Sequence, residues 1–207
     1  MAVLRPADLQ RFEACKFDVR DERRVNVPVT IESVKALVKE MCQLNEHGEY
    51  APILEADLVG FLYHLILRDS LCSPGKIHLD TRIIGSENDN YKFDIVVGEV
   101  RRRDDGRPAI SPEAIIEVKV FPEGFTDQQH RRRFEHILDN DLRKLGSLRM
   151  RPLFRVEFVF DQVDYLAGTY ASTNREQVVV GRRNEIAAGV TILFARRTAG
   201  SWQVLSK

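Results

Sequence analysis

The sequence has no excess of charge of either sign, few cysteines and no long apolar run. Its 31 basic and 31 acidic side chains balance, which argues against a protein that coats nucleic acid through a uniformly basic surface. A nucleic-acid enzyme is still compatible with this balance, because it needs positive charge only near its site. No segment approaches the ~18–20 apolar residues that a membrane-spanning helix requires, and the N-terminal residues lack the pattern of a signal peptide. We therefore expect a soluble, cytoplasmic protein.

The cysteines and the common nucleotide-binding motifs give no sign of a metal cluster or a nucleotide site. Cys15, Cys42 and Cys72 are odd in number and share no metal-ligand spacing, which is typical of free thiols in a reducing compartment. The sequence contains no G-x-S-x-G, P-loop or G-x-G-x-x-G pattern. A chain of 207 residues suits one domain with a full-sized core and extensions.

The strongest local signal is the apolar, β-branched segment 114–121, AIIEVKVF, which lies between Pro112 and Pro122. This composition predicts a β-strand. Two charged residues stand inside it, Glu117 and Lys119. They are two residues apart, so in a strand their side chains point to the same face.

Two further strands are predicted before this segment, at residues 76–84 and 91–102. Their short connections favour an antiparallel meander of three strands. Asp94 lies within the second of them, in the apolar context YKFDIVVGEV. The meander therefore carries an acid on two neighbouring strands.

Helical periodicity predicts helices on both sides of the meander in the sequence. Glu55 lies on the inward stripe of the helix just before it, and Asp141 interrupts the stripe of the helix just after it. A strand follows that later helix, and such a crossover implies that it lies parallel to strand 114–121. The predicted helices span residues 30–44, 52–69 and 126–148, and the later strands span residues 153–161, 177–180, 190–197 and 202–205.

Glu55, Asp94, Glu117 and Lys119 have the chemistry of a metal-dependent hydrolase if they converge. Asp94 and Glu117 supply carboxylate oxygens from adjacent strands, and Mg²⁺ is bound by a few such oxygens together with water. The backbone carbonyl of Val118 can add an oxygen, and Glu55 can reach the same ion or a second one. Lys119 can orient or deprotonate the attacking water and offset the charge that builds on a phosphate. This combination suits hydrolysis of a phosphodiester.

The same residues also fit an amphipathic strand with one solvated face, for which the alternation I-E-V-K-V is typical. Three features favour the metal site. The acids fall on a helix, a strand and the next strand, a topology in which they can converge. Glu55 and Asp141 interrupt apolar stripes, and a buried carboxylate needs a cation or a donor. A long crossover helix covers at least one face of the sheet.

The order of Glu55, Asp94 and Glu117-Val118-Lys119 on helix, strand and strand resembles the PD-(D/E)XK nuclease superfamily. The resemblance covers about half of the chain and implies an α/β fold. Its core would be a restriction-endonuclease-like αβββαβ unit, about residues 52–161, with a mixed central sheet flanked by helices. Residues 1–51 and 162–207 would be N-terminal and C-terminal extensions of this single domain.

The resemblance also implies an activity and the residues that perform it. The chain would be a Mg²⁺-dependent deoxyribonuclease, with endonuclease as the expected class and Mn²⁺ as a substitute metal. Asp94, Glu117, Val118 and Glu55 would hold the metal, and Lys119 would be the catalytic lysine. Phe93 stands where the family motif often has proline, a departure that is frequent in the family.

Substrate contacts are expected on the helix after the E-x-K motif, where the candidates are Gln129, Arg131, Arg132 and Arg133. Basic groups beside a nuclease site would position a nucleic-acid backbone, although a solvated helix face explains them equally well. DNA is the expected partner, and a homodimer would allow both strands to be cut. Two alternatives remain open: a catalytically silent nucleic-acid-binding or protein-interaction module on the same fold, and a hydrolase of RNA or another phosphoester.

Overall fold

A computed structural model describes residues 29–69, 71–84, 86–88, 90–149 and 152–207. This part of the chain begins with two helices, followed by a meander of three strands. Their bounds are α1 (Ile31–Glu46), α2 (Glu55–Arg68), β1 (Ile77–Thr81), β2 (Phe93–Arg102) and β3 (Pro108–Phe121).

A crossover helix and a second half of the sheet follow the meander. The crossover helix has two α-helical parts with a π-helical segment, Ile137–Asp141, between them. Its parts and the later elements are α3 (Asp127–His136), α4 (Leu142–Gly146), β4 (Phe154–Asp161), β5 (Thr169–Tyr170), β6 (Thr173–Asn174), α5 (Arg175–Ile186), β7 (Thr191–Thr198) and β8 (Ser201–Ser206).

The main sheet has six strands in the order β1-β2-β3-β4-β7-β8. The meander pairs are antiparallel, β3–β4 and β4–β7 are parallel, and β7–β8 is antiparallel. The two parallel pairs are joined by crossovers that contain α3–α4 and α5, since parallel neighbours cannot be joined by a tight turn. The predicted mixed sheet flanked by helices is confirmed, and so is the parallel pairing of β4 with β3.

Helices cover both faces of this sheet and give it two apolar cores. On one face α1 and α2 pack over the meander, β4 and β7, and on the other face α3, the π-helical segment, α4 and α5 do so. The α1 helix begins where the sequence predicts it, because the Thr30 side chain accepts a hydrogen bond from the Ser33 backbone N–H at 3.1 Å. The buried residues of α1 recur at helical spacing: Val34, Leu37, Val38, Met41 and Cys42.

Strand β3 is longer than predicted, and Pro112 lies inside it rather than before it. The register shifts between Val97 and Gly98, so that Gly98 lies opposite Pro112. A bulge of this kind tolerates proline, which has no N–H to give to the ladder. β3 therefore extends beyond the bulge to Pro108, into the connection between the two predicted strands.

The strand predicted at residues 177–180 is wrong, because these residues lie in α5. The run of three valines has the composition of a strand, but the Asn174 side chain accepts a hydrogen bond from the Gln177 backbone N–H at 3.3 Å and caps a helix. Packing of Val179 against the sheet then outweighs the β-propensity of the valines. The strands predicted at 190–197 and 202–205 are confirmed as β7 and β8.

Residues that the sequence analysis assigns to extensions contribute to this architecture. Residues 162–207 supply α5, β7 and β8, and α1 belongs to the predicted N-terminal extension. Residues 1–28 of that extension, with Cys15, lie outside the described residues. Cys42 and Cys72 are free and buried. No helix within the described ranges combines the length and the apolar character that crossing a membrane requires.

Gly146 provides a test of how closely the two crossovers approach each other. A Cβ atom at this position would lie 2.0 Å from the backbone oxygen of Ile186, at the end of α5. We expect Gly146→Ala to lower the free energy of unfolding by about 1–3 kcal/mol, because backbone must move to make room. Urea unfolding followed by circular dichroism measures the change.

Gly60 is the matched control, since it lies inside α2 and a Cβ atom there meets nothing within 4 Å. Gly60→Ala should raise the free energy of unfolding by about 0.5–1 kcal/mol, the usual gain for alanine over glycine within a helix. Equal stability of Gly146→Ala and wild type would show that α4 and α5 are not in backbone contact.

Candidate active site

Three carboxylates form a row across the middle of the sheet. The register pairs Ile95 with Ile116, which puts Asp94 on β2 opposite Glu117 on β3. Glu117 is also the register partner of Glu157 on β4. Partners in register point to the same face, so Asp94, Glu117 and Glu157, here called the acid row, lie side by side under the crossover helices.

The acid row is removed from water. Glu117 is 1% exposed and Glu157 is fully buried. One oxygen of Asp94, Oδ2, accepts a hydrogen bond from the Val118 backbone N–H at 2.8 Å. The row therefore consists of acids in an interior environment, where an ionised carboxylate needs nearby positive charge.

Lys144, on α4, supplies part of this positive charge. Its ammonium donates to Oε2 of Glu117 at 2.6 Å and to the backbone oxygen of Lys92 at 2.8 Å. Burial acts to lower the pKa of Lys144, but the Glu117 carboxylate outweighs it and the pKa is raised. Lys144 is therefore an ammonium at neutral pH and neutralises one acid of the row.

Lys119 lies on the same face, two residues after Glu117, and is 4% exposed. Its ammonium contacts Oε2 of Glu55 at 3.2 Å and Oδ2 of Asp141 at 3.1 Å. Burial acts to lower the pKa of Lys119, but the carboxylates of Asp141 and Glu55 outweigh it and the pKa is raised. The lysine is therefore held as a cation between two acids from different helices.

Glu55 connects the helix α2 to the helix on the opposite face of the sheet. It is the first residue of α2, where the helix dipole favours a negative charge. One carboxylate oxygen contacts Lys119 and the other accepts a hydrogen bond from Arg133 on α3. The Gln162 side chain, just after β4, donates to the Pro52 backbone oxygen at 2.7 Å and fixes the chain before α2.

The π-helical segment brings Asp141 and His136 to the same lysine. Nδ1 of His136 lies 3.1 Å from the Asp141 carboxylate and 3.3 Å from Nζ of Lys119. This nitrogen can donate to the carboxylate or accept from the ammonium, but it cannot do both at once. Burial acts to raise the pKa of Asp141, but the hydrogen bond from His136 and the charge of Lys119 outweigh it and lower the pKa. The His136 side chain is 50% exposed, so this group links the buried acids to solvent.

The charges of the whole cluster do not balance. Its carboxylates are Glu55, Asp94, Glu117, Asp141 and Glu157, and its permanent cations are Lys119, Arg133 and Lys144. Full ionisation would leave two negative charges in excess. Burial raises the pKa of Glu117 and of Glu157 well above the usual range, with the charge of Asp94 adding to the effect on Glu117 and that of Asp141 to the effect on Glu157. The acid row therefore requires protons or a further cation.

Of the predicted site residues, Asp94, Glu117 and Lys119 thus lie on one face of the sheet, and Glu55 reaches Lys119 from α2, which packs on the other face. The Val118 side chain packs in the core on the other face, and its backbone N–H is bonded to Asp94. No group of three or more His, Cys, Asp or Glu residues, among those the structure describes, has the arrangement of a metal-ligand set. Oxygens that would be ligands are instead engaged by Lys144, Lys119 and a backbone N–H.

The predicted substrate residues differ in what they contact. Gln129 completes the cap of α3, where Oε1 accepts from the Thr126 backbone N–H at 2.8 Å. Arg131 pairs with Glu135 at 2.9 Å, and Arg133 pairs with Glu55. Arg132 is exposed and forms no ion pair within the described part of the chain. Arg132 is therefore the residue of this set that is most available to a phosphate.

Sequence reasoning did not assign His136, Lys144 and Glu157 to the cluster, and it identified Asp141 only as an acid that interrupts an apolar stripe. Glu157 has the same local signal as Glu117, a single acid in the apolar strand FRVEFVFD. Asp141 interrupts an apolar stripe, but α-helical spacing does not place it beside His136. The contact depends on the π-helical segment, which no pattern in the sequence predicts.

The raised pKa values of Glu117 and Glu157 predict how stability depends on pH. A group whose folded-state pKa lies above its unfolded value, about 4.3 for glutamate, contributes stability that is lost as the pH rises through the folded-state pKa. Without divalent cations, we therefore expect the free energy of unfolding contributed by this pair to fall as the pH rises above the unfolded-state pKa and through the raised folded-state pKa values. Urea unfolding in a chelator at several pH values tests this.

The glutamine variants separate this effect from the rest of the protein's titration. Glu157→Gln has nearly the same shape but no charge at any pH, so its stability should fall less steeply with pH than that of wild type. Glu113→Gln is the control, because Glu113 lies on β3 but its side chain is 45% exposed. An unchanged slope in Glu157→Gln would show that Glu157 does not titrate above its unfolded pKa.

No protein-family model, curated protein or solved structure matches the chain. The function must therefore be inferred from the side chains of the cluster and from the topology that assembles them.

Proposed function

We propose that the protein is a Mg²⁺-dependent nuclease that hydrolyses phosphodiester bonds of DNA as an endonuclease, on a restriction-endonuclease-like αβββαβ core. The observation that carries the proposal is the contact of Glu55, from α2, with Lys119, which shares one face of the sheet with Asp94 and Glu117. Nζ of Lys119 lies 3.2 Å from the Glu55 carboxylate. Asp94 accepts a hydrogen bond from the Val118 backbone N–H, which lies between Glu117 and Lys119 in the chain. These are the residues of the PD-(D/E)XK-like motif, and they come from the helix and strands that the resemblance requires.

The topology supports the same assignment. The elements α2, β1, β2, β3, α3–α4 and β4 follow each other in the order αβββαβ. Strands β1 to β4 are neighbours in that order, with an antiparallel meander and a parallel fourth strand. The first helix and the crossover helix lie on opposite faces of the sheet.

The excess of negative charge supports a divalent cation as cofactor. Asp94 and Glu117 would hold Mg²⁺ or Mn²⁺, with the Val118 carbonyl and Glu55 as further oxygen donors, and Oε1 of Glu117 is buried without a hydrogen-bond partner among the described residues. Mg²⁺ needs only one or two protein carboxylates, because it keeps several waters. When bound, the cation supplies Lewis-acid activation of the phosphate and of water.

Lys119 is suited to stabilising negative charge on the phosphate. Its raised pKa keeps it protonated, which favours this role over removal of a proton from water. Asp141 and Glu55 fix its ammonium from two sides, so the charge is oriented before substrate arrives. His136 is the neighbouring group that solvent reaches, because half of its side chain is exposed.

One observation favours the alternative of a catalytically silent nucleic-acid-binding or protein-interaction module. Lys144 already neutralises Glu117, at 2.6 Å, and an ammonium in this position replaces part of the charge that a metal ion would supply. A module of this kind would retain a stable, buried cluster without turnover. Cleavage assays distinguish the two functions.

Removal of the Lys119 side chain should abolish turnover while retaining DNA binding. Lys119→Ala should cleave DNA on the order of 10²–10³ more slowly than wild type, the usual cost of one charge-stabilising group. The assay compares circular and linear DNA in Mg²⁺ and in Mn²⁺, and binding is measured by fluorescence anisotropy. Circular dichroism checks that the variant is folded, since removal of the ammonium leaves Asp141 with His136 and Glu55 with Arg133 as their partners.

Lys76→Ala is the control for this experiment, because Lys76 lies outside the cluster and pairs with Glu99 and Glu113. It should cleave DNA at the wild-type rate. Equal rates for wild type and Lys119→Ala would remove Lys119 from the mechanism. Binding of DNA by wild type with no cleavage in either metal would favour the silent module.

A substitution of Arg132 tests whether the DNA backbone contacts α3. Arg132→Ala should weaken binding of all DNA sequences to a similar extent and reduce the slope of log affinity against log salt concentration by about 1. Arg68→Ala is the control, since Arg68 lies at the far end of α2 and pairs with Glu40. If both variants keep the wild-type salt dependence, DNA does not contact this part of α3.

A further inference from the structure

Glu157 has no role in the proposed mechanism, yet it is the most enclosed acid of the cluster. It is fully buried, and neither carboxylate oxygen has a hydrogen-bond partner among the described residues. Asp161, a buried acid on the same strand, accepts hydrogen bonds from three backbone N–H groups, which is how a buried carboxylate is usually stabilised. An acid without donors in the interior is costly unless it meets a cation or takes up a proton.

A third unpartnered oxygen belongs to Glu117, beside Glu157 on the neighbouring strand. Glu117 is its register partner on β3, and neighbouring strands are about 4.8 Å apart. Lys144 bonds to Oε2 of Glu117, and Oε1 is buried without a partner within the described ranges. Three carboxylate oxygens on adjacent strands are therefore buried on the same face of the sheet, without a hydrogen-bond donor among the described residues.

The lysines of the cluster do not donate to these three oxygens. Nζ of Lys119 contacts Asp141 and Glu55, and Nζ of Lys144 contacts Glu117 Oε2 and the Lys92 backbone oxygen. The attraction of Lys119 for Glu157 acts without a hydrogen bond. The two uncompensated negative charges of the cluster match the charge of one divalent ion, and hard divalent ions accept two carboxylates completed by water.

We infer that Glu157 is a cation ligand, and that it holds a divalent ion between β3 and β4 together with Oε1 of Glu117. The inference deepens the proposed function and rests on its assignment of Glu117 as a ligand. It extends the metal centre from the β2–β3 pair to β4, so that Glu117 has a carboxylate neighbour on either side. Lys144 keeps its bond to the other oxygen of Glu117 when the ion is bound.

Calorimetric titration of the protein with Mn²⁺, without nucleic acid, tests the inference. Glu157→Gln should bind Mn²⁺ at least tenfold more weakly than wild type, because an amide cannot supply the negative charge. Glu113→Gln, the same substitution on an acid 45% exposed elsewhere on β3, should bind as wild type does. Without Mn²⁺, Glu157→Gln should be no less stable than wild type, since it removes no hydrogen bond.

Equal Mn²⁺ affinity of wild type and Glu157→Gln, or no binding by either, would overturn the inference and leave Glu157 as a protonated interior acid. If Glu157→Gln does not fold, Glu157→Asp replaces it, because it keeps the charge but withdraws the oxygens by one methylene. It should also bind Mn²⁺ more weakly, and wild-type affinity in this variant would overturn the inference.

Absence of cleavage with Glu157-dependent Mn²⁺ binding would reject the nuclease and leave the cation site standing. Cleavage by wild type with Glu157-independent binding would reject only the site.

Discussion

The compensation of buried negative charge is the constraint on which the arrangement of this protein depends. Asp94, Glu117 and Glu157 lie in a row on a sheet face that helices cover, and a buried carboxylate without a counter-charge costs several kcal/mol. Lys144 and Lys119 supply such charges from the crossover helix and from β3 itself. The helices therefore have to dock where their charged groups meet the sheet, as well as where their apolar stripes pack.

Helices on both faces of the sheet contribute charged side chains to the cluster. Glu55 begins α2 on one side, and Arg133 and Asp141 come from the crossover helix on the other. Lys119 lies between them near the end of β3, where both helices are in reach. An apolar core alone would tolerate small rotations of either helix, whereas these ion pairs fix how α2 and α3 face each other.

The sequence allowed much of this arrangement to be predicted, because strands β2 and β3 and helix α1 are defined by local patterns. Glu117 and Lys119 could be assigned to one face from the two-residue period of strands, and Glu55 to the inward stripe of its helix. The position of Asp94 opposite Glu117 depends on the register of β2 and β3, which the period does not give. The contacts of Lys144 with Glu117, and of His136 with Asp141, depend on how the crossover helix docks and winds. Short-range periodicity carries no information on either. Residues 177–180 were assigned to the wrong element because a helix cap and packing outweighed the strand preference of valine.

The π-helical segment gives the crossover helix two rotational phases. Each residue of an α-helix advances about 100° around the axis, and the wider winding over Ile137–Asp141 offsets everything after it relative to α3. Arg133 lies before the segment and is oriented toward Glu55, whereas Lys144 lies after the segment and is oriented toward Glu117. Deletion of one residue within the segment would restore a single α-helical winding, and only one half of the helix could then keep its alignment. The number of residues in this segment is therefore as constrained as the identity of the charged residues on either side of it.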